Sequence, residues 1–545
     1  MRNTVSRRAR YTGLLLAGAL ALAGCADSSE SSSNDAGSSG SNGDLSDSDI
    51  YSQGWVGEQS DAEPTKGGTL TMGDYAETRS LNPIESYANG AAAGNPLAAV
   101  YDVLVRYDFE SSEWTPHLAE SIESNDDMTV WTLKLRDDVT FSDGTPLDAD
   151  AVMGSLGYYM ENYGFQALTM LANQTQMKKV DDQTVEFTVA APWATFPAML
   201  AGGPGMIMAP AAYDDPKKFE PIGAGAFELE NYAPAEELVL AARQDYWGGE
   251  PNLDKLRFVW LGSDDAKLES MASGEIDAAF VRNPVAVEKA RRDGLNGYMY
   301  VVGAGAQFTI NAREGRPGED IRVRQAMAHA FDNESYLERA ANGAGIPSKS
   351  IFAETSPWST GVEPTAFDQE KARALLEEAK ADGYDGKVSF ISSADPTAQQ
   401  AAVQLEAQLE AVGFDVTVDG IDNIADLTRR VYVDHDFDLA QGATSIGDED
   451  PYGALSNWLF SQSPVNGAGY ASEEMDGLLR ELQAVADDPA KGADAMAAIE
   501  EKFHEDVPAL VINPAGNFVT MQDGVTGILP NTQTILLFHD ASKTE

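Results

Sequence analysis

Residues 131–147 read WTLKLRDDVTFSDGTPL, and this stretch indicates the class of fold. From Trp131 to Arg136 apolar and polar residues alternate, which is typical of a β-strand with one buried face. The run DGTP at 143–146 contains residues that turns favour. Asp148 then precedes an apolar run that begins at residue 151, and an acidic residue in that place favours a helix start. A strand, a turn and a helix in direct succession predict a chain that mixes strands with helices.

The same mixture continues on both sides of this stretch. Alternating runs at 184–189 and 237–240 predict further strands. Residues 398–412 have the pattern of a helix, Gly413 supplies a cap for its C-terminus, and residues 414–418 have the pattern of a strand. A helix joined to a strand in this way is expected of an α/β layer, so the predicted fold class is α/β.

Composition and charge exclude several classes of protein. The chain has 545 residues, of which 43% are hydrophobic, and a single cysteine, so it can bury a large core but cannot form a disulfide framework. Its 37 Lys and Arg against 87 Asp and Glu give a formal net charge of −50. Such a charge repels nucleic acid and anionic membrane surfaces, and we predict no nucleic-acid partner.

The N-terminus has the pattern of an export signal. Arginines in the first ten residues precede an apolar run at 14–22, which is too short to cross a membrane and has the length of a signal-peptide core. The run ends in Leu22-Ala23-Gly24-Cys25, which resembles the lipobox of bacterial lipoproteins; an ordinary signal peptide with a chance cysteine is the alternative. The resemblance implies that residues 1–24 are a lipoprotein signal peptide and that Cys25 carries the lipid. Residues 25–66 are rich in Ser, Gly and Asp, which predicts a disordered tether.

Motifs of catalysis and of cofactor binding are missing from the sequence. It contains no P-loop, no G-x-S-x-G, no HExxH and no CxxC, and its five histidines lack the spacing of metal ligands. We therefore predict no catalytic residue, no metal site and no cofactor. The acidic run Asp448-Glu449-Asp450 is open to three interpretations: solvated surface, ligand contact or cation site.

Seven separated blocks together resemble one family. They lie, in chain order, at 116–121, 131–147, 223–227, 246–254, 273–277, 321–326 and 367–376. This pattern is similar to that of the family 5 solute-binding proteins of ABC importers, the oligopeptide- and dipeptide-binding group, and it extends from about residue 67 to the C-terminus.

The resemblance implies a two-lobed fold of the periplasmic-binding-protein type (type II, cluster C), with a ligand held between lobes that close about a hinge. Lobe I is expected to comprise residues 67–96, 222–309 and 513–545, and lobe II residues 310–512. An extra α+β domain, at 97–221, is expected as an insertion in lobe I. The chain is expected to cross between the lobes near 308–311 and near 511–514.

The resemblance also implies a binding site. In this family a peptide adds as a strand between the lobes, and a buried Asp in a lobe II loop holds its ammonium group. Here that loop is 441–452; Gly447 stands at the family's acidic position, and Asp448, one residue later, is expected to take the role. Trp358 is open to two interpretations, a pocket wall or a core residue. The predicted ligand-binding residues are Tyr87, Asn89, Trp358, Ala443, Thr444, Ser445, Asp448 and Asp450, with Asp450 also expected to cap the following helix.

These implications lead to one expected function. The protein is expected to be a monomeric, lipid-anchored solute-binding protein on the outer face of the cell membrane, delivering an oligopeptide or peptide-like solute to an ABC permease and its ATPase. A nickel chelate, haem, a sugar or an opine-like compound is the alternative ligand. A secreted hydrolase that uses two of the many carboxylates is a different class, but no acid/base pair or nucleophile stands out. An envelope protein that serves in sensing or adhesion remains a third possibility.

Overall fold

The computed structural model describes residues 45–57, 63–215, 217–394 and 396–544. The predicted signal peptide and Cys25 lie outside these ranges. The strands are β1 (Gly54–Val56), β2 (Thr69–Asp74), β3 (Val105–Asp108), β4 (Glu113–Pro116), β5 (Ala119–Ser124), β6 (Val130–Leu135), β7 (Gln176–Asp181), β8 (Thr184–Thr188), β9 (Phe227–Ala233), β10 (Glu237–Ala242), β11 (Lys255–Trp260), β12 (Ala278–Val281), β13 (Asn296–Ile310), β14 (Lys387–Ser393), β15 (Asp415–Ile421), β16 (Leu439–Ile446), β17 (Ala509–Met521), β18 (Val525–Thr526), β19 (Leu529–Pro530), β20 (Leu536–Leu537) and β21 (Ser542–Lys543). The helices are α1 (Asp47–Ile50), α2 (Gly94–Tyr101), α3 (Ala149–Glu161), α4 (Ala167–Ala172), α5 (Pro197–Leu200), α6 (Pro210–Tyr213), α7 (Asp264–Ser273), α8 (Pro284–Arg292), α9 (Ile321–Ala330), α10 (Asn333–Ala340), α11 (Gln369–Ala381), α12 (Pro396–Glu410), α13 (Ile424–Arg429), α14 (Pro451–Leu459), α15 (Glu473–Val485) and α16 (Pro489–Asp506).

One sheet connects the two halves of the fold. Its strands follow the order β15-β14-β16-β13-β17-β12-β2-β11-β10-β9, and β1 pairs with β13 off this path. At one end β14 and β15 are parallel and joined by α12, the connection that parallel neighbours require. At the other end β2 is parallel to both β11 and β12. β12 is buried along its whole length, as expected of a strand covered on both faces.

Strands β13 and β17 pass from one half to the other. They pair antiparallel over most of their length, but their register shifts between Val302 and Gln307. Ala304 and Gly305 have positive φ angles of 58° and 51° in this stretch, which marks a local break in the pleat. Before the break Tyr298 packs into the core of the first half, and after it Phe308 packs into the core of the second. The break lies a few residues before the crossing expected near 308–311; the domain boundaries themselves stay predictions.

The stretch at 131–147 lies in a separate four-stranded antiparallel sheet, β5-β6-β8-β7. Along β6 the side chains of Trp131, Leu133 and Leu135 are buried and those between them are exposed, as the alternation predicts. Asp148 accepts a hydrogen bond from the Ala151 amide (2.9 Å) and caps α3. The strand, the capped helix and the mixture of the two are therefore confirmed.

Part of the predicted tether is folded. In the segment 45–57, which we term the N-terminal segment, Ile50 and Tyr51 are 0% and 1% exposed, and β1 extends the sheet along β13. Arg291 fixes the segment by donating hydrogen bonds to the backbone carbonyls of Asp49 (2.7 Å) and Ile50 (3.1 Å). The prediction of disorder is wrong for these residues because the polar average of 25–66 conceals apolar residues that reach a neighbouring core. The rest of that range up to residue 44, and residues 58–62, lie outside the described residues.

We expect Ile50→Val to lower the free energy of unfolding by about 1 kcal/mol, the usual cost of removing one buried methylene. Urea denaturation of the full chain measures this change, and Ser48→Ala, at an exposed position of the same segment, is the matched control. If both variants unfold with the stability of the parent chain, the segment is not packed in solution.

Candidate ligand-binding cleft

Two cavities lie between the halves of the molecule. The smaller measures about 80 Å³ and the larger about 740 Å³. Gln53, Asp448 and Glu449 line both, so the two cavities form one cleft. Its walls come from distant parts of the chain, among them β13, residues 165–199 and the loop that follows β16.

The predicted site residues divide into those that line the cleft and those that do not. Of the eight predicted contacts, the structure places Tyr87, Asn89, Ser445, Asp448 and Asp450 around the smaller cavity. Trp358 lines the larger cavity, together with Asp448.

Ala443 and Thr444 are the two predicted residues that line neither cavity among those described. Their strand, β16, pairs with β13, where Ala443 lies opposite Ala306 and Thr444 opposite Gly305. On its other side β16 pairs with β14 only at Leu439 and Ala440. Beyond Ala440, that edge of β16 has no strand neighbour within the described sheet, so its backbone groups can pair with an added strand.

Glu449 joins the two halves across the cleft. Its side chain is 8% exposed, and Oε1 accepts hydrogen bonds from the Thr532 hydroxyl (2.8 Å) and the Gln533 amide (3.1 Å). Gln533 and Thr534 have positive φ angles of 55° and 59°, so the chain that donates to Glu449 holds a strained conformation. One oxygen of the Glu449 carboxylate thus accepts from two of the protein's own donors.

Asp450 makes a second bridge, to the residues that precede α5. Its Oδ1 accepts from the Thr195 hydroxyl (2.7 Å) and from the Gly453 amide (3.2 Å), and it is the N-cap of α14. Burial raises the pKa of Asp450 to about 7. Asp450 therefore caps its helix as the sequence suggests, and it also holds the cleft together.

Asp448 has the fewest protein donors of the three acids in the described ranges: its carboxylate has one, whereas those of Glu449 and Asp450 have two each. Its Oδ1 accepts from the Ser356 hydroxyl (2.7 Å), and its backbone carbonyl accepts from the Trp358 indole (2.8 Å). Within the described part of the chain, no donor is hydrogen-bonded to Oδ2. Burial, with a smaller contribution from the charge of Glu449, raises the pKa of Asp448 to about 7. A cation in the cleft would relieve this unfavourable ionisation.

A steric reason explains why glycine occupies position 447, where the family pattern has an acidic residue. A Cβ atom on Gly447 would lie 2.3 Å and 2.4 Å from the two carboxylate oxygens of Glu449. A side chain at 447 is therefore incompatible with the bridge that Glu449 makes. In this loop the first side chain that can supply a carboxylate to the cavity is therefore that of the next residue, Asp448.

Aromatic side chains form one wall of the larger cavity. Tyr107 lies 4.8 Å from Trp114 and 4.9 Å from Phe109 between ring centroids, and Phe109 lies 5.7 Å from Tyr298. Asp448 and Glu449 line the same cavity, and burial together with their charges raises the pKa of both Tyr107 and Tyr298. We name the four rings of Tyr107, Phe109, Trp114 and Tyr298 the aromatic wall.

Sequence reasoning missed the aromatic wall and Gln53. The wall is assembled from β3, the turn that follows it, β4 and β13, and only their tertiary arrangement brings the rings together. Gln53 belongs to the N-terminal segment, where its Oε1 accepts from the Val301 amide (2.9 Å). In the sequence, the aromatic residues at 107 and 109, separated by one residue, were a weak signal for the wall. Nothing in the polar sequence around Gln53 indicated that it contacts the cleft.

Two further properties bear on the class of the protein. In the ranges 45–57, 63–215, 217–394 and 396–544, no three His, Cys, Asp or Glu side chains are placed to hold a metal ion. None of the helices described in those ranges combines the length and the apolar character needed to cross a membrane.

Comparisons with known proteins agree on the fold and on the family. The dipeptide-binding protein of Escherichia coli (strain K12) is 24% identical over 494 residues, which cover 84% of this chain and 91% of that protein. The nickel-binding periplasmic protein of the same strain is 26% identical over 392 residues, covering 66% of this chain and 72% of that protein. The solved structure of the periplasmic binding protein DppA from Helicobacter pylori, in complex with the peptide STSA, superposes with a TM-score of 0.74 at 22% identity. It covers 88% of this chain and 99% of that chain.

These similarities confirm the two-lobed, mixed α/β binding-protein fold. The similar proteins are binding proteins, in agreement with the prediction that this chain is not an enzyme. A family model described as bacterial extracellular solute-binding proteins, family 5 (middle), matches residues 113–466, which is more than half of the chain. The chain therefore belongs to family 5 of the bacterial extracellular solute-binding proteins.

Proposed function

We propose that this protein is the lipid-anchored, peptide-binding component of an ABC importer. The observation that carries the proposal is Asp448, a largely buried carboxylate that faces the cleft with one oxygen hydrogen-bonded to Ser356 and the other without a protein donor among the described residues. A peptide ammonium group is the partner that such a carboxylate lacks.

The surroundings of Asp448 fit the backbone of a peptide. The free edge of β16 begins at residue 441 and leads along the strand toward Asp448. A peptide with its ammonium group at Asp448 can pair with that edge as an added strand, which gives affinity without selecting side chains. The large cavity beside it leaves room for side chains of different size.

Closure of the lobes converts binding into a signal. Glu449 reaches Thr532 and Gln533 on one side of the cleft, while Asp450 reaches Thr195 on another. A ligand that orders the loop at Asp448 also orders Glu449 and Asp450. Because these two residues make the contacts across the cleft, binding favours the closed form. The permease then recognises a closed, loaded protein.

Native mass spectrometry of the full chain, purified in detergent, tests the proposal. Denaturation should release a series of peptide masses, and Asp448→Asn should release far less. A single non-peptide mass, for example a metal chelate, would retain the importer role and reject the peptide. Binding of none among peptides, sugars and metal chelates in a thermal-shift screen would reject both.

The lipid anchor is a separate part of the proposal, and it places the protein on the outer face of the membrane. The monomeric state is proposed independently of the anchor. It requires cleavage before Cys25 and a thioether on that residue. The intact mass of the mature protein should equal the mass of residues 25–545 plus that of a diacylglycerol group, with or without an acyl group on the N-terminal amine. Cys25→Ala should remove the lipid and release the protein from membranes; an unlipidated mass with native Cys25 would contradict the anchor.

We expect affinity for a peptide to fall as the pH falls through 7. Because the pKa of Asp448 is raised to about 7, the carboxyl becomes neutral below that pH and can no longer pair with an ammonium group. Between pH 7 and pH 6, where the peptide amine stays protonated, the dissociation constant should rise about fivefold. Calorimetry with the tripeptide amide Ala-Lys-Ala-NH2 measures the change. Asp448→Asn should flatten the profile, and any slope that remains reports Asp450, which titrates in the same range.

A further inference from the structure

We propose that the larger cavity is a subsite for a positively charged group, so that the solute of this protein is a cationic peptide with an alkylammonium or guanidinium side chain beyond its N-terminal ammonium. This inference rests on the proposed function, because it specifies the chemical class of the peptide in the same cleft. Three observations support it: the charges that line the cavity, the aromatic wall, and an unpaired indole N–H.

The charges that line the cleft have one sign. Glu113, Asp448, Glu449 and Asp487 line the larger cavity, and Asp450 lines the smaller one. Among the described residues that line either cavity there is no Lys, Arg or His. A carboxylate placed there would meet only like charges, whereas a cation would be attracted by all of them.

The aromatic wall offers its rings to the same kind of group. Arrays of aromatic rings bind ammonium and guanidinium groups through the negative faces of their π systems. Elsewhere in the described chain the protein's own cations use this interaction, as Arg282 does over Tyr75 at 4.0 Å. No described Lys or Arg stacks on the four rings of the wall. Tyr107, Phe109 and Trp114 are half-buried and can meet a ligand, whereas Tyr298 is 2% exposed and supports them from behind.

Trp131 adds an observation that is independent of charge. Its side chain lines the larger cavity and is 8% exposed, yet its indole N–H has no hydrogen-bond acceptor among the described residues. Buried donors are nearly always paired in folded proteins. A carbonyl group of a bound peptide, reached after a small side-chain shift, is an acceptor that this donor lacks.

The same charges also determine where the C-terminal carboxylate of a bound peptide can lie. A dipeptide enclosed in this cleft would hold its terminal carboxylate close to its ammonium group. That carboxylate would find no basic partner among the described lining residues. We infer that the terminal carboxylate of a bound peptide lies outside the two cavities. Short zwitterionic dipeptides and acidic peptides should therefore be poor ligands.

Calorimetry with three matched tripeptide amides tests the inference. Ala-Lys-Ala-NH2, Ala-norleucine-Ala-NH2 and Ala-Glu-Ala-NH2 share a length, an N-terminal ammonium and an uncharged C-terminus, so only the central charge differs. The lysine peptide should bind at least about tenfold more tightly than the norleucine peptide, as expected of one good cation–aromatic contact. The glutamate peptide should bind more weakly than either.

Two variants assign the preference to the larger cavity. Trp114→Leu should reduce the ratio between the lysine and norleucine peptides toward one, and Trp114→Phe should retain part of it. Glu113→Gln removes one charge at an exposed position, where misfolding is not expected, and should lower the ratio by a smaller factor. Thermal melting of each variant checks that the fold is intact.

The outcomes separate this inference from the proposed function. Equal binding of all three peptides would overturn the cationic subsite and leave the peptide-binding function standing. Binding of none of the peptides, together with binding of the non-peptide cation tetraethylammonium, would overturn the peptide ligand and support the cationic cavity. Failure of every probe would overturn both.

Discussion

Asp448→Asn is expected to weaken binding of Ala-Lys-Ala-NH2 by about 2–5 kcal/mol, the usual effect of removing one partner from a buried charge pair. The asparagine keeps the shape of the side chain and an oxygen that can accept from Ser356, so the loop should retain its structure. What it removes is the negative charge that an ammonium group needs. Isothermal titration calorimetry at pH 7.5 measures the difference.

A change in the ligand supplies the internal control for this prediction. N-acetylation of the peptide removes the ammonium group and should weaken binding to the parent protein by a similar amount. In the Asp448→Asn variant acetylation should have little further effect, because the two changes remove the same interaction. Asp422→Asn, at an exposed aspartate of the same half, should bind as the parent does. Additive losses from variant and acetylation would show that Asp448 is not the ammonium partner.

Glu449→Leu is expected to shift the ligand-free protein from a closed to an open form. Thr532 and the Gln533 amide would lose their shared acceptor, and each buried donor left unpaired costs about 1–3 kcal/mol. Only the closed form contains this contact, so the whole cost falls on closure. Small-angle X-ray scattering should report a larger radius of gyration, and the affinity for Ala-Lys-Ala-NH2 should fall in proportion to the closed fraction.

Glu449→Gln separates closure from charge in this second prediction. The glutamine keeps Oε1 as an acceptor for Thr532 and Gln533 while removing the negative charge. Its radius of gyration should therefore stay close to that of the parent, and any loss of affinity would report attraction between Glu449 and a cationic ligand. An unchanged scattering profile for Glu449→Leu would falsify the role of this residue in closure.

The parts of the fold that follow from local sequence were predictable. The strand that contains Trp131, the cap at Asp148 and the helix, glycine and strand around Gly413 depend on residues within a few positions of one another. Asp448 and Asp450 could be selected because the loop that contains them has a recognisable pattern. The same local reasoning failed for residues 45–57, where sparse apolar side chains are stabilised by a core built from other parts of the chain.

The roles within the acidic run show the limit of sequence reasoning. Three consecutive acids look equivalent, yet the carboxylate of Glu449 accepts from Thr532 and Gln533, that of Asp450 accepts from Thr195 and Gly453, and that of Asp448 accepts, among the described residues, from Ser356 alone. Along the chain, Thr532 lies 83 positions from Glu449, Thr195 lies 255 positions from Asp450, and Ser356 lies 92 positions from Asp448. No spacing rule within one sequence connects residues so far apart.

The sequence by itself determined the α/β class, the family and the loop that carries the candidate anchor, because hydrophobic alternation, turn residues and motif order are local properties. Only the tertiary structure decided which carboxylate has the fewest protein donors, which aromatic rings form the wall of the larger cavity, and that Gln53 of the N-terminal segment joins the site. The physical reason is that these properties depend on burial and on pairing between distant strands. A side chain acquires its partners, its exposure and its pKa only when the sheet brings those strands together.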